Sequence, residues 1–94
     1  MAIEKFAHKG LRNFFESGDG KKINPNHVDR VRAILARLHS AKDLRDMNYP
    51  GANLHLLKKP PYAGLYSVNV SGNYRIIFRF EDGDAYDVNY LDTH

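Results

Sequence analysis

The chain has 94 residues, of which 43% are hydrophobic and 27% are charged, and its formal net charge is +3. It contains no cysteine, which excludes disulfides and thiolate metal sites. No apolar run approaches the roughly 20 residues of a membrane-spanning helix, and residues 1–9 hold no apolar block typical of a signal peptide. These features predict one globular domain over residues 1–94, in the cytoplasm and without membrane contact.

Two helices are predicted in the first half of the chain. Leu11 and Phe14 fall at helical spacing, and a Ser-Gly-Asp-Gly run at 17–20 ends this segment. Asn24 and Pro25 then signal a new helix, because Asn caps a helix and Pro fits its first position. The apolar stripe of this second helix consists of Val28, Val31, Ile34, Leu35 and Leu38.

Three histidines lie in or beside these helices. His8, His27 and His39 are predicted to be solvated surface residues. The segment from Ser40 to Asp43 resembles a capping box in which Asp replaces Glu, and it predicts a short further helical turn.

The second half predicts four strands, which cover residues 54–57, 65–70, 74–80 and 84–90. Turns at 71–73 and 81–83 make the last three an antiparallel meander. A three-residue turn at 81–83 is preferred to a two-residue turn at Asp82-Gly83, because it sorts apolar side chains onto one face. The predicted pairs are Phe80 with Asp84, Phe78 with Tyr86, Ile76 with Val88, Tyr74 with Tyr90, Val70 with Tyr74 and Val68 with Ile76. The predicted class is therefore α+β, with both helices packed on one face of a mostly antiparallel sheet.

This register separates two faces of the sheet. The face toward the helices carries Tyr66, Val68, Val70, Tyr74, Ile76, Phe78, Tyr86, Val88 and Tyr90. The opposite face carries Ser67, Asn69, Arg75, Ile77, Arg79, Asp87 and Asn89. Arg75 is predicted at the centre of this open face, with Asn69 and Asn89 beside it.

Arg75 has two possible roles. It can be a solvated strand residue paired with Asp87 or with a loop carboxylate, or it can hold a phosphate, since its rigid fork of donors matches phosphate oxygens. His55 and His94 lie on or beside the strands. Two imidazoles near an arginine suit RNA cleavage, in which one group removes a proton, another donates one, and a cation stabilises the phosphorane.

The loop after His55 offers further candidates. Lys58 and Lys59 can hold a backbone phosphate or simply solvate a strand end. Tyr62 can stack on a base or pack on its own domain. No spacing of His, Asp and Glu indicates a metal site.

The segments "NLHLLKK" and "GLYSVNVSGNYRIIFRFEDGDAYDVNYLDTH" resemble the HigB-type toxins of the RelE/ParE superfamily, also called proteic killer proteins. The opening "IEKFAHKGLRNFFESG" resembles their N-terminal strand and first helix. The resemblance implies a RelE-like fold and a toxin of a type II toxin–antitoxin module. It implies cleavage of mRNA in the A site of the 30S ribosomal subunit, without metal or cofactor, leaving 2′,3′-cyclic phosphate and 5′-hydroxyl ends. The implied partners are a HigA-type helix-turn-helix antitoxin and, through that antitoxin, operator DNA.

The resemblance also assigns residues. The implied catalytic residues are His55, Arg75, Asp92 and His94. The candidate substrate-binding residues are Lys58, Lys59, Tyr62, Asn69, Asn89 and Tyr90. Thr93 departs from the family pattern, which has Tyr between Asp and His, and Tyr62 or Tyr90 can substitute for that aromatic ring.

Two other functions stay open on sequence alone. The first is gyrase inhibition, as in the ParE branch, which needs neither His55 nor His94. The second is a non-catalytic module that binds antitoxin and DNA.

Overall fold

Two helices cover one face of a four-stranded sheet in the computed structural model of the chain, which describes residues 1–93. The helices are α1 (Lys9–Ser17) and α2 (Val28–Ser40), and two short 3-10 helices span Pro25–His27 and Leu44–Met47. The strands are β1 (His55–Leu56), β2 (Tyr66–Ser71), β3 (Tyr74–Glu81) and β4 (Asp84–Asp92). They pair in the order β1-β2-β3-β4, each antiparallel to the next, which confirms the predicted α+β class. Neither α-helix in this described part is long and apolar enough to cross a membrane.

Helix α1 is closed at both ends by local hydrogen bonds. Its buried side includes Leu11 and Phe14, as the spacing predicts. Gly18 adopts a left-handed φ of 82° and donates its N–H to the Phe14 carbonyl, which ends the helix. At the start, the His8 Nδ1 accepts the Leu11 N–H at 2.9 Å. His8 is half-buried and caps a helix, so its predicted surface position is wrong.

The predicted start of the second helix is confirmed at Asn24, whose side chain accepts the Asn26 N–H. The chain makes one 3-10 turn before α2, and the apolar stripe of α2 faces the core. His27 is 7% exposed, and its Nδ1 lies 2.7 Å from the Tyr90 hydroxyl. The prediction of a solvated His27 is therefore wrong.

The short further turn after α2 is confirmed, but its cap lies three residues later than predicted. Asp43 caps the 3-10 helix Leu44–Met47, and the Asp46 side chain accepts the Asp43 N–H in return. Two carboxylates therefore form the capping box in place of Ser40 and Asp43.

The β2–β3 register is partly as predicted. Val68 pairs with Ile76, but a bulge follows on β2 and Ser71 pairs with Tyr74. The predicted pairing of Val70 with Tyr74 is wrong because this bulge shortens the turn to two residues.

The turn between β3 and β4 also has two residues. Glu81 pairs with Asp84 across Asp82 and Gly83, which have φ values of 51° and 84°. Both values are positive, as a type I′ hairpin turn requires. The predicted three-residue turn is therefore wrong.

A bulge in β4 reconciles this short turn with a buried face. Asp87 adopts a φ of 54°, and beyond it the register shifts by one residue, so that Ile76 pairs with Tyr90. The shift places the apolar residues of β4 that follow Asp87 on the side of the sheet that faces the helices. Before the bulge the faces are exchanged, and Tyr86 pairs with Arg79 on the opposite face, where it was not predicted.

The N-terminal segment runs parallel to β4 along the edge of the sheet. Ile3 bridges Ala85 and Phe6 bridges Val88, which agrees with the implied N-terminal strand. The buried core between helices and sheet comprises Leu11, Phe14, Ile23, Val31, Ile34, Leu35, Leu38, Ala41, Met47, Ala52, Val68, Val70, Ile76, Phe78, Ala85, Val88 and Tyr90.

Candidate active site

Four side chains form one row across the sheet on the face opposite the helices. The three strand pairings align His55, Ser67, Ile77 and Asn89. Ser67 and Ile77 are only 2% and 1% exposed, so the centre of this face is covered and is not open as predicted. His55, on the edge strand, is exposed. Asn89 is half-buried, and its side chain accepts the Tyr90 N–H.

Arg75 lies in the next row of the same face. Its neighbours are Asn69 on β2, as predicted, and Leu91 on β4. The predicted neighbour Asn89 is one row away, because the two-residue turn and the β4 bulge each shift the register by one residue. One Arg75 nitrogen, Nη1, donates to the Gly72 carbonyl at 2.6 Å, at the β2–β3 turn.

The two arginines of β3 differ in their charge partners. Arg79 pairs with Glu81 and with Asp87, the latter at 3.0 Å, and lies over the Tyr86 ring. No carboxylate of residues 1–93 lies within ion-pair distance of Arg75. The ion pair with Asp87 that was considered for Arg75 therefore belongs to Arg79, and Arg75 is a half-buried cation without a counter-charge in this part of the chain.

His55 is oriented by a backbone carbonyl. Its Nδ1 lies 2.8 Å from the Asn53 oxygen, and because a carbonyl only accepts, Nδ1 carries the proton. In the neutral ring, Nε2 is then an unprotonated acceptor. Asn53 adopts a left-handed φ of 49°, which Asn tolerates better than most residues.

A cleft of about 430 Å³ lies beside His55. It is lined by His55, Leu56, Leu57, Lys58, Lys59, Pro60, Tyr62 and Thr93, and we refer to it as the His55 cleft. Hydrogen bonds between Leu57 and both Gly64 and Leu65 close the base of the loop that carries its lysines. The fold therefore brings four predicted site residues together, namely His55, Lys58, Lys59 and Tyr62. Tyr62 is 37% exposed, so its ring is accessible to a partner.

Thr93 connects the His55 cleft to the turn that holds Arg75. Its N–H and its Oγ1 both donate to the Asn73 carbonyl, at 2.9 and 2.8 Å. Asn73 follows Gly72, whose carbonyl accepts from Arg75. One two-residue turn therefore holds both Arg75 and the last described residue of the chain.

The end of the chain is described only in part. Asp92 pairs with Tyr74 at the end of β4, and the predicted catalytic His94 lies outside the described residues. Within residues 1–93, no three His, Asp or Glu side chains are grouped as metal ligands.

Two predicted substrate-binding residues lie elsewhere. Asn69 lines a separate cleft of about 450 Å³ beside Arg30, and its Oδ1 is buried without a hydrogen-bond partner in the described chain. Tyr90 is 7% exposed and faces the helices, where its hydroxyl contacts His27. Burial raises the pKa of Tyr90. Tyr90 therefore has no route to a bound base, and we leave it out of the site.

Sequence reasoning missed the backbone groups that organise the site. The carbonyls of Asn53, Gly72 and Asn73 orient His55, Arg75 and Thr93. Every residue has a carbonyl, so no pattern of side chains identifies these three. One sequence feature could have indicated two of them. The turn residues Gly72 and Asn73 directly precede the strand that carries Arg75, the candidate phosphate ligand.

Two helices on one face of a four-stranded antiparallel sheet are consistent with the RelE-like fold. The sequence matches, over residues 4–94, the family described as the RelE-like toxin of the type II toxin–antitoxin system HigB. The chain therefore belongs to the HigB-like toxin family.

Individual relatives cover almost the whole chain. It is 38% identical to the endoribonuclease HigB of Proteus vulgaris, over 98% of this chain and 99% of that protein. It is 30% identical to the toxin HigB-1 of Vibrio cholerae serotype O1, over 100% of this chain and 98% of that protein. An uncharacterised protein of Haemophilus influenzae is 29% identical over 97% of this chain and 90% of its own length. The resemblance to HigB-type toxins is confirmed.

Proposed function

We propose that this chain is a ribosome-dependent endoribonuclease, the toxin of a type II module, which cuts mRNA in the A site of the 30S subunit. The single observation that carries the proposal is Arg75, a cation without a carboxylate partner in residues 1–93, on the same sheet face as His55. From strand spacing and rise, the two Cα atoms are about 12 Å apart. Both side chains extend from this face, and we place the scissile phosphate between them. The endoribonuclease activity of the Proteus vulgaris relative supports the same conclusion.

In the proposed mechanism the unprotonated Nε2 of His55 removes the 2′-hydroxyl proton. The 2′-oxygen attacks phosphorus, and the bond from phosphorus to the 5′-oxygen breaks. His94, tuned by Asp92, donates a proton to that oxygen, which leaves as a 5′-hydroxyl and creates a 2′,3′-cyclic phosphate. Arg75 and Lys58 stabilise the charge of the phosphorane, and the reaction uses no metal ion.

Substrate binding is assigned to the rest of the His55 cleft and its surroundings. Lys59 contacts a neighbouring phosphate, and Tyr62 stacks on a base in place of the aromatic residue that the family has before its last histidine. Asn89 lies diagonally across from Arg75 on β4, where we assign it a contact with the ribose or phosphate. Asn69 lies in the separate cleft beside Arg30 and is left out of the site.

The test compares the two arginines of β3. Arg75→Ala should lower the rate of cleavage of ribosome-bound mRNA by about 10²–10³-fold, because a donor to the transition-state charge is lost. Arg79→Ala removes the same charge from the same strand and should change the rate less than about threefold, since Arg79 is already paired with carboxylates. Cleavage is measured by mapping RNA 5′ ends in a purified translation system. Equal cleavage by the wild type and Arg75→Ala would contradict the proposal.

The proposed partners follow from membership of a toxin–antitoxin family. We propose a HigA-type helix-turn-helix antitoxin that neutralises the chain and carries it to operator DNA, all in the cytoplasm. Co-expression with the antitoxin from the neighbouring reading frame should restore growth. A DNA supercoiling assay should show gyrase unaffected by the purified chain.

A further inference from the structure

A further cavity, on the helix side of the molecule, is lined by two arginines that form no ion pair with any carboxylate of residues 1–93. It measures about 370 Å³ and is lined by Arg30, Ala33, Ile34, Arg37, Tyr49 and Pro50. We refer to it as the α2 pocket. The sheet separates it from the face that carries the proposed cleavage site.

Arg37 is held in place at one side of the α2 pocket. Its guanidinium lies over the Tyr49 ring, with 4.8 Å from Cζ to the ring centre, and its Nε donates to the Asp46 carbonyl at 2.9 Å. A guanidinium fixed in this way loses little conformational freedom when it binds an anion. Its two Nη groups have no hydrogen-bond partner in residues 1–93.

Arg30 is in the first turn of α2, where a positive charge is unfavourable because the N-terminal end of a helix is itself positive. It forms no hydrogen bond or ion pair with any residue of the described chain. Arg32 on the same helix differs, since it pairs with Asp29 at 2.8 Å. An anion in the α2 pocket would supply the negative charge that Arg30 does not find within residues 1–93.

The Tyr49 hydroxyl is an unsatisfied polar group beside these two exposed arginines. It is buried and has no partner within residues 1–93. Burial raises the pKa of Tyr49 in spite of the opposing charges of Arg30 and Arg37, so this hydroxyl is protonated and can donate. The hydroxyl proton and the guanidinium N–H groups can all donate hydrogen bonds to the oxygen of a bound ligand.

The walls of the α2 pocket indicate which anion fits. Ala33, Ile34, Pro50 and the Tyr49 ring form a largely apolar surface. A single carboxylate on an apolar segment complements both the positive charge of the two arginines and the apolar walls.

We propose that the α2 pocket binds a glutamate or aspartate side chain, flanked by apolar residues, of a protein partner. The carboxylate bridges Arg30 and Arg37, and an adjacent apolar side chain packs between Ala33 and Pro50. This contact is independent of RNA cleavage, because it lies on the opposite side of the sheet from His55.

The test titrates the full-length, ¹⁵N-labelled chain with an acetylated and amidated peptide, Ala-Leu-Glu-Leu-Ala, without RNA or ribosomes. The Nε–H signals of both arginines and the Ala33 amide should shift, and the corresponding glutamine peptide should leave them unchanged. Arg30→Gln should weaken binding about tenfold, as expected for loss of a charge-assisted hydrogen bond. Arg32→Gln, an equal change of charge on the same helix, should bind like the wild type.

Arg30→Gln is chosen over Arg37→Gln because Arg30 has no contact in the described chain whose loss would disturb the fold. Shifts with inorganic phosphate but not with the glutamate peptide would overturn the proposal in favour of a nucleic-acid site. Equal binding of the glutamate and glutamine peptides, or no binding of either, would also overturn it.

Discussion

Thr93 stands where HigB-type toxins have an aromatic residue, and its side chain has a different role. Its Oγ1 donates to the Asn73 carbonyl at 2.8 Å, next to the carbonyl that holds Arg75. The proposed acid, His94, follows directly in sequence. We therefore infer that Thr93 is a positioning residue, which fixes the last described residue of the chain relative to the turn that holds Arg75, the proposed phosphate ligand.

Thr93→Val keeps the shape of the side chain and removes this hydrogen bond. We expect cleavage of ribosome-bound mRNA to slow about tenfold through kcat with KM unchanged, because misplacement of a catalytic group affects the chemical step. Thr93→Ser keeps the hydroxyl and should restore most of the rate. Steady-state kinetics on ribosome complexes measure both effects. If the valine and serine variants are equally slow, the hydroxyl has no positioning role.

Residue types in the candidate site were largely predictable, and their charge partners were not. Few side chains can hold or protonate a phosphate, which is why the prediction selected Arg75, His55, Lys58 and Lys59. Whether Arg75 or Arg79 pairs with Asp87 depends on the exact pairing of β3 with β4. In the predicted register Asp87 lies opposite Ile77, equally far from both arginines, so the sequence does not decide which of them it pairs with.

At the scale of elements, the strands were predictable and their register was not. Alternation of apolar residues located β2, β3 and β4, and the Gly and Asn turns separated them. The prediction assumed one uniform register, in which a two-residue turn mixes the faces. The bulge at Asp87 removes that conflict, because one extra residue restores the buried face beyond it. Asp tolerates a positive φ, but an Asp within a strand sequence does not by itself indicate a bulge.

Strand β4 is connected to the helix layer through Tyr90. Its hydroxyl lies 2.7 Å from the His27 Nδ1, in a buried contact between β4 and the 3-10 helix before α2. Tyr90→Phe leaves His27 without this partner and should lower the free energy of unfolding by about 1–2 kcal/mol. Urea denaturation monitored by circular dichroism measures the loss.

Cleavage provides the control for this variant, because Tyr90 faces away from the proposed site. Below its unfolding temperature, Tyr90→Phe should cut ribosome-bound mRNA at the wild-type rate. A large drop in cleavage by a folded Tyr90→Phe protein would contradict the exclusion of Tyr90 from the substrate-binding site.

At the scale of the whole molecule, one aromatic cluster connects the N-terminal helix, the 3-10 helix and the sheet. The His8 and His27 rings both contact Tyr90, and Tyr74 stacks on Tyr90 with 5.3 Å between ring centres. Both histidines were expected in solvent, because a histidine on a polar helix end has the same pattern whether it is buried or exposed. Their position depends on which strand lies beneath them, which is a property of the tertiary structure.

This cluster predicts a dependence of stability on pH through His8. The Nδ1 of His8 accepts the Leu11 N–H, which requires the unprotonated nitrogen, and burial lowers the pKa of His8 from its ordinary value of 6.5. As the pH falls through 6.5, the unfolded chain takes up this proton before the folded chain does, so His8 makes folding less stable in acid and has no such effect well above that value. His8→Asn keeps a good helix cap that does not titrate. Between pH 7.5 and pH 5.5 the Tm of the wild type should therefore fall further than that of His8→Asn. Parallel Tm curves for the two proteins would contradict this prediction, because they would show that His8 takes up its proton equally in the folded and unfolded states.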